Sequence, residues 1–203
     1  MSRAGRAARH AITEAAAIAD LTSLPDDLPS PIADGACDHL SGIRMPPLSL
    51  ASTAGRDVDL GMPHDHRLLP EDRRPGESLP DSWDAIPGAR GCTPQACAFR
   101  DHYRELAELG ARVFGLSTQP TDYQREFVQR LHLPFELLSD ADLRLATVLG
   151  LPTFESGGMR LIKLTLVVNE SAIEHVFYPV FPPNESARVV VMWLRGLSGG
   201  GAA

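Results

Sequence analysis

The chain has 203 residues, 43% hydrophobic and 22% charged, which provides for one core with some extension. A formal net charge of −7 leaves no broad basic surface for nucleic acid or an anionic membrane. No apolar run reaches the roughly 18 residues that a membrane-spanning helix needs.

In chain order, residues 1–39 read as an N-terminal extension, partly helical or disordered. Its basic start precedes a small apolar stretch that Glu14 and Asp20 interrupt, against the pattern of a secretory signal. Residues 48–60, LSLASTAGRDVDL, predict a small hairpin turning near Ala54 and Gly55. Residues 61–83 are polar, charged and proline-rich, and read as irregular. Ten of the 17 prolines fall between Pro25 and Pro87, so ordered patterning is expected mainly after residue 90. There, 91–110 predicts a helix, with Ala96, Phe99, Tyr103, Leu106 and Leu109 at helical spacing and Gly110 as its stop. A strand at 111–118, a helix at 121–133, a strand at 135–140 and a helix at 140–150 follow. Strands at 161–169 and 172–179 turn near Asn169 to Ser171. A closing helix at 185–197 should bury Val189, Val190, Trp193, Leu194 and Leu197. The Gly/Ala-rich tail, 198–203, reads as disordered.

Strands alternating with helices imply a layered α/β domain over 40–197 with parallel pairing, its last two strands antiparallel. Such a domain needs a buried strand leading into a site at a helix start. No apolar run precedes Gly91. Arg67 to Leu69 is the best candidate and is short, so one expected strand before Cys92 reads as degraded.

Three cysteines do not make a disulfide scaffold; they fit a reducing compartment, with the cytoplasm as the expected location. Cys92 and Cys97 lie in GCTPQAC at the entrance of the 91–110 helix. Pro94 suits a first turn, where a missing N–H costs nothing. The backbone N–H groups and macrodipole of a helix start favour a thiolate, and the thiolate is the nucleophile. Cys97, five residues on, stands about 8–9 Å away between Cα atoms in a regular helix. A disulfide requires about 4.4–6.8 Å, so a Cys92–Cys97 bond requires the first turn to unwind. The expected cycle is attack on a peroxide, a Cys92 sulfenic acid, condensation with Cys97, and reduction by an external dithiol. Two bland readings stand beside it: buried core cysteines, or a zinc site, for which the spacing and the scattered His102, His132 and His175 are a poor match. A disulfide oxidoreductase fits less well, because the spacing is not C-x-x-C.

The stretch GCTPQACAFRDHYRELAELGARVFGLSTQ resembles the peroxiredoxins of the PrxQ, or bacterioferritin-comigratory, group, within the alkyl hydroperoxide reductase/thiol-specific antioxidant superfamily. LSDADLRLATVLGLPTF, LIKLTLVV and IEHVFYPVFPPN extend the likeness. It implies a thioredoxin-like fold, a central mixed sheet flanked by helices. It also implies a thiol-dependent peroxidase acting on hydrogen peroxide or organic hydroperoxides, with Cys92 peroxidatic and Cys97 resolving. The implied partners are a peroxide and a thioredoxin- or glutaredoxin-type reductant, with no cofactor, metal, nucleic acid or membrane, in a monomer or weak dimer. By position, Lys163 replaces the family's activating arginine, with Arg160 three residues earlier. Gly91, Thr93 and Arg160 are the candidate peroxide-binding positions. Ala89 stands where the family has a threonine. Lysine offers a point charge in place of a planar fork, and a solvated strand-edge charge is the bland reading of Lys163 and Arg160. The alternative function is a catalytically impaired thioredoxin-fold paralogue or a redox-responsive binding module.

Overall fold

The computed structural model describes residues 24, 27–62, 66–69, 87, 91–155 and 159–199. Seven strands form one mixed sheet in the order β2-β1-β5-β4-β3-β8-β9. The predicted hairpin is β1 (Ser49–Ser52) and β2 (Asp57–Asp59), antiparallel with Leu50 opposite Val58. Both residues are buried and their neighbours are exposed, the period-2 pattern of a strand with one face on a core.

The expectation of a degraded strand before Cys92 is corrected. β3 (His66–Leu69) lies inside the 61–83 stretch that the sequence reads as irregular, and it is flanked in the sheet by β4 and β8. It pairs parallel with β4 (Arg112–Ser117), Leu68 opposite Phe114, and antiparallel with β8 (Thr165–Asn169), Leu68 opposite Leu166. Hydrogen-bond ladders on both sides specify it where its four residues give little hydrophobic signal.

The predicted 91–110 helix is two pieces, α1 (Cys92–Asp101) and α2 (Tyr103–Glu108). His102 between them leaves helical geometry, at φ −96° and ψ 5°, and its Nδ1 meets Glu105 Oε2 at 2.8 Å. β4 is followed by α3 (Thr121–Leu131) and β5 (Glu136–Ser139), which pairs parallel with β4. The predicted 140–150 helix is shorter: α4 spans Arg144–Leu149. Buried Asp140 sits before it and accepts the N–H groups of Leu145 and Ala146 at 3.0 and 2.9 Å, satisfying two donors of its first turn. A small separate hairpin, β6 (Thr153–Glu155) and β7 (Met159–Leu161), takes up the start of the predicted 161–169 strand. β8 then pairs antiparallel with β9 (Ala172–Phe177), with an irregularity between Val167 and Val168.

The closing helix α5 (Ser186–Gly199) runs through the predicted disordered tail as far as Gly199. It buries Ala187, Val190, Val191 and Leu194, whereas Val189 and Leu197 are exposed, contrary to the expected face. Trp193 is half-buried, stacked on His175 at 4.8 Å between ring centroids and edge-on to Phe177.

Two apolar layers sandwich the sheet. On one face Phe99, Leu106, Phe127, Leu131 and Val190 pack with Val113 and Leu137. On the other, Leu40, Leu50, Leu145 and Leu149 pack with Phe114, Leu138 and Leu166. Adjacent residues such as Val113 and Phe114 thus serve opposite layers, as a pleated strand demands. Each fully buried Phe or Leu contributes about 1.5–3 kcal/mol, so this double layer holds α1 in place. Among the described residues, no helix is long and apolar enough to cross a membrane.

Candidate active site

The site is the N-terminal turn of α1. Gly91 precedes it in the left-handed region, φ 102°, and its carbonyl accepts the Gln95 N–H at 3.0 Å, closing the first turn. A Cβ on Gly91 would lie 2.3 Å from Pro183 Cγ and 3.2 Å from Leu24 Cδ2. Only glycine satisfies both the dihedral and the space. Pro183 belongs to a short 3-10 turn, Pro183–Glu185, just before α5.

Cys92 is the first residue of α1 and is 7% exposed. Thr93 and Gln95 beside it are wholly buried, and Cys97 is 8% exposed. None of the three cysteines is in a disulfide. Burial pushes the Cys97 thiol up, and the Arg100 guanidinium partly opposes this. Cys97 sits in the apolar layer with Ala96 and Phe99. Both thiols lie on one intact helix, so pairing them needs the first turn to open.

Lys163 is 2% exposed, immediately before β8. The reading of it as a solvated strand-edge charge is corrected: the cation is inside the protein. Burying an ammonium is costly unless it is compensated, so Lys163 is held by its surroundings. Arg160 lies on β7 opposite Phe154 in the separate hairpin. Its side chain and all of Ala89 lie outside what is described.

Gln95 was not singled out by sequence. It is fully buried, three residues after Cys92, and its Nε2 donates to Thr165 Oγ1 at 3.4 Å. Its Oε1 has no hydrogen-bond partner among the described residues. The sequence carries a signal for it: a polar residue one turn after Cys92 shares its helix face. Cys37 is far from this turn in sequence and packs in the opposite apolar layer. Burial, with Asp34 and Asp38 nearby, pushes its thiol up to about 11. Among the described residues no three His, Cys, Asp or Glu side chains are grouped to hold a metal.

Residues 85–175 match the AhpC/TSA family model. The chain is 28% identical over 160 residues to the chloroplastic peroxiredoxin Q of Sedum lineare, covering 77% of this chain and 78% of that protein. It is 30% identical over 107 residues to the chloroplastic peroxiredoxin Q of Oryza sativa subsp. japonica, covering 53% of this chain and about half, 49%, of that one. Among solved structures, peroxidoxin BcpB of Mycobacterium tuberculosis superposes with a TM-score of 0.60 at 25% identity, over 77% of this chain and 97% of that one. Peroxiredoxin Q of Xanthomonas campestris superposes at 0.57 and 18% identity, over 84% and 98%, a likeness of fold. The thiol at a helix start, the mixed α/β sheet beneath it and these matches converge: residues 85–175 match the AhpC/TSA family model, and the chain has the thioredoxin-like fold of its peroxiredoxin neighbours.

Proposed function

We propose that the chain is a thiol-dependent peroxidase that reduces hydrogen peroxide or organic hydroperoxides through Cys92 and Cys97. The observation that carries this reading is the placement of Cys92 as the first residue of α1 behind an obligatory glycine, with Cys97 one and a half turns on. In the first step the Cys92 thiolate attacks one peroxide oxygen. The S–O bond forms as the O–O bond breaks, and the leaving alkoxide or hydroxide takes up a proton. The sulfur is oxidised to a sulfenic acid by two electrons. Cys97 then displaces the sulfenic hydroxyl, which leaves as water, and the disulfide forms. A thioredoxin- or glutaredoxin-type dithiol returns both thiols by exchange.

The start of α1 stabilises negative charge on the sulfur and on the developing oxyanion. The proposed role of Lys163 is to supply a fixed positive charge to that site. Its burial supports this, because a cation in a low-dielectric surrounding acts more strongly than one at a solvated strand edge. Gly91 and Thr93 are proposed to border the peroxide, with Arg160 as an outlying contributor.

The test is to add one equivalent of hydrogen peroxide to the Cys97→Ser variant and locate oxidation by mass spectrometry with a sulfenic-acid-trapping dione. The expected adduct is on Cys92. An adduct on Cys37, or none, rejects the assignment.

A further inference from the structure

Between Cys92 and Cys97 one polar side chain is tied to the sheet. Gln95 is 0% exposed, and its backbone N–H closes the first turn of α1 on the Gly91 carbonyl at 3.0 Å. Its Nε2 donates to Thr165 Oγ1 at 3.4 Å, and its Oε1 has no hydrogen-bond partner among the described residues. Thr165 opens β8 and is wholly buried. Leu164 and Leu166 on either side of it pack in the opposite apolar layer, so Thr165 faces α1. β8 is itself held by ladders: Thr165 pairs with Phe177 of β9, and Leu166 with Leu68 of β3. The bond from Gln95 therefore joins a turn that has to move to a strand that stays. A buried carboxamide is costly without partners, and among the described residues this bond is what compensates it.

We propose that Gln95 is a positioning residue that latches the first turn of α1 to β8 through Thr165. The latch sets the balance between the helical turn that presents Cys92 and the opened turn in which Cys92 pairs with Cys97. This role deepens the peroxidase reading, on which it rests for the purpose of the pair. In a regular helix the two Cα atoms stand about 8–9 Å apart, against the roughly 4.4–6.8 Å of a disulfide. Closing that gap moves the backbone of residues 92–97. The movement breaks the Gln95 N–H bond to Gly91 and carries the carboxamide away from Thr165. The bond to Thr165 thus belongs to the dithiol form alone. Its loss in a variant raises the free energy of the dithiol form and leaves the disulfide form as it was, so the disulfide forms more readily. A bond kept in both forms, doing no more than stabilising the fold, would leave that balance where it is.

The test is a redox titration of the full chain in buffers of reduced and oxidised dithiothreitol, with the Cys92–Cys97 disulfide identified by peptide mass spectrometry. The two thiols give up two protons and two electrons, and the cyclic disulfide of oxidised dithiothreitol takes them up. Thr165→Val removes the acceptor at nearly constant volume and should shift the equilibrium about tenfold toward the disulfide. Thr165→Ala removes the same hydroxyl, carries the same expectation and stands in for a valine variant that fails to fold. Thr165→Ser keeps the hydroxyl and should stay within about twofold of the parent. In a Gln95→Met background Thr165→Val should shift the equilibrium by less than about twofold, because the donor is already gone. A shift of less than about twofold on removing the hydroxyl in the parent background would overturn the latch. So would equal shifts in the two backgrounds, or a serine variant that behaves as the valine one does. A parent that forms no Cys92–Cys97 disulfide at any ratio would overturn the latch together with the pairing. No peroxide enters the titration, so a chain without peroxidase activity still gives a readable answer, and the function and the latch fail separately.

Discussion

Pro183 occupies the space that a side chain on residue 91 would need, with its Cγ 2.3 Å from the position of a Cβ on Gly91. This contact ties the turn before α5 to the start of α1. Cys92 is thus positioned in part by a stretch of the chain some ninety residues away in sequence, just before the closing helix.

Gly91→Ala should therefore cost about 3 kcal/mol, from a left-handed residue that now carries a Cβ and from the clash with Pro183. Urea unfolding of the reduced protein measures this. A variant as stable as the parent would show that the turn adapts freely, and that glycine is not what fixes Cys92.

Lys163→Met should keep the fold while slowing the reaction of Cys92 with peroxide by about a hundredfold, if the buried Lys163 charge acts on the site as proposed. Lys163→Arg should retain more of the rate than Lys163→Met. Stopped-flow tryptophan fluorescence under pseudo-first-order peroxide gives the rate constants. Equal rates for the Met variant and the parent would assign Lys163 a structural role.

Cys37 gives a pH dependence of stability. Its thiol is raised from 9.0 to about 11 in the folded protein. The folded state therefore holds this proton more tightly than the unfolded chain. The contribution is complete below pH 9.0 and is lost as the pH climbs through about 11. Urea midpoints should fall across that window, and Cys37→Ala should fall less steeply than the parent. Identical slopes would remove Cys37 as the source.

Much of this architecture is written in hydrophobic periodicity. The Phe99 and Leu106 spacing, the Phe127 and Leu131 spacing and the β8–β9 pair all follow from it, since their packing is local and strongly patterned. β3 does not, because four residues containing His66 and Arg67 carry little apolar signal, and their place is set by ladders to β4 and β8. Periodicity also gives the wrong outer edge for α5: Val189 and Leu197 are apolar but exposed, while small Ala187 fills the contact. The cysteine pair was legible from Thr93, Pro94 and the five-residue spacing. Burial of Lys163 and the packing of Pro183 over Gly91 were not. Each depends on elements distant in sequence, and no local pattern encodes either.

The most direct test of the central claim couples peroxide reduction to thioredoxin, thioredoxin reductase and NADPH, comparing the parent with Cys92→Ser. NADPH oxidation by the parent, saturating with peroxide and absent in Cys92→Ser, is the expected result. No oxidation by the parent above that variant, or equal turnover by both, would contradict it.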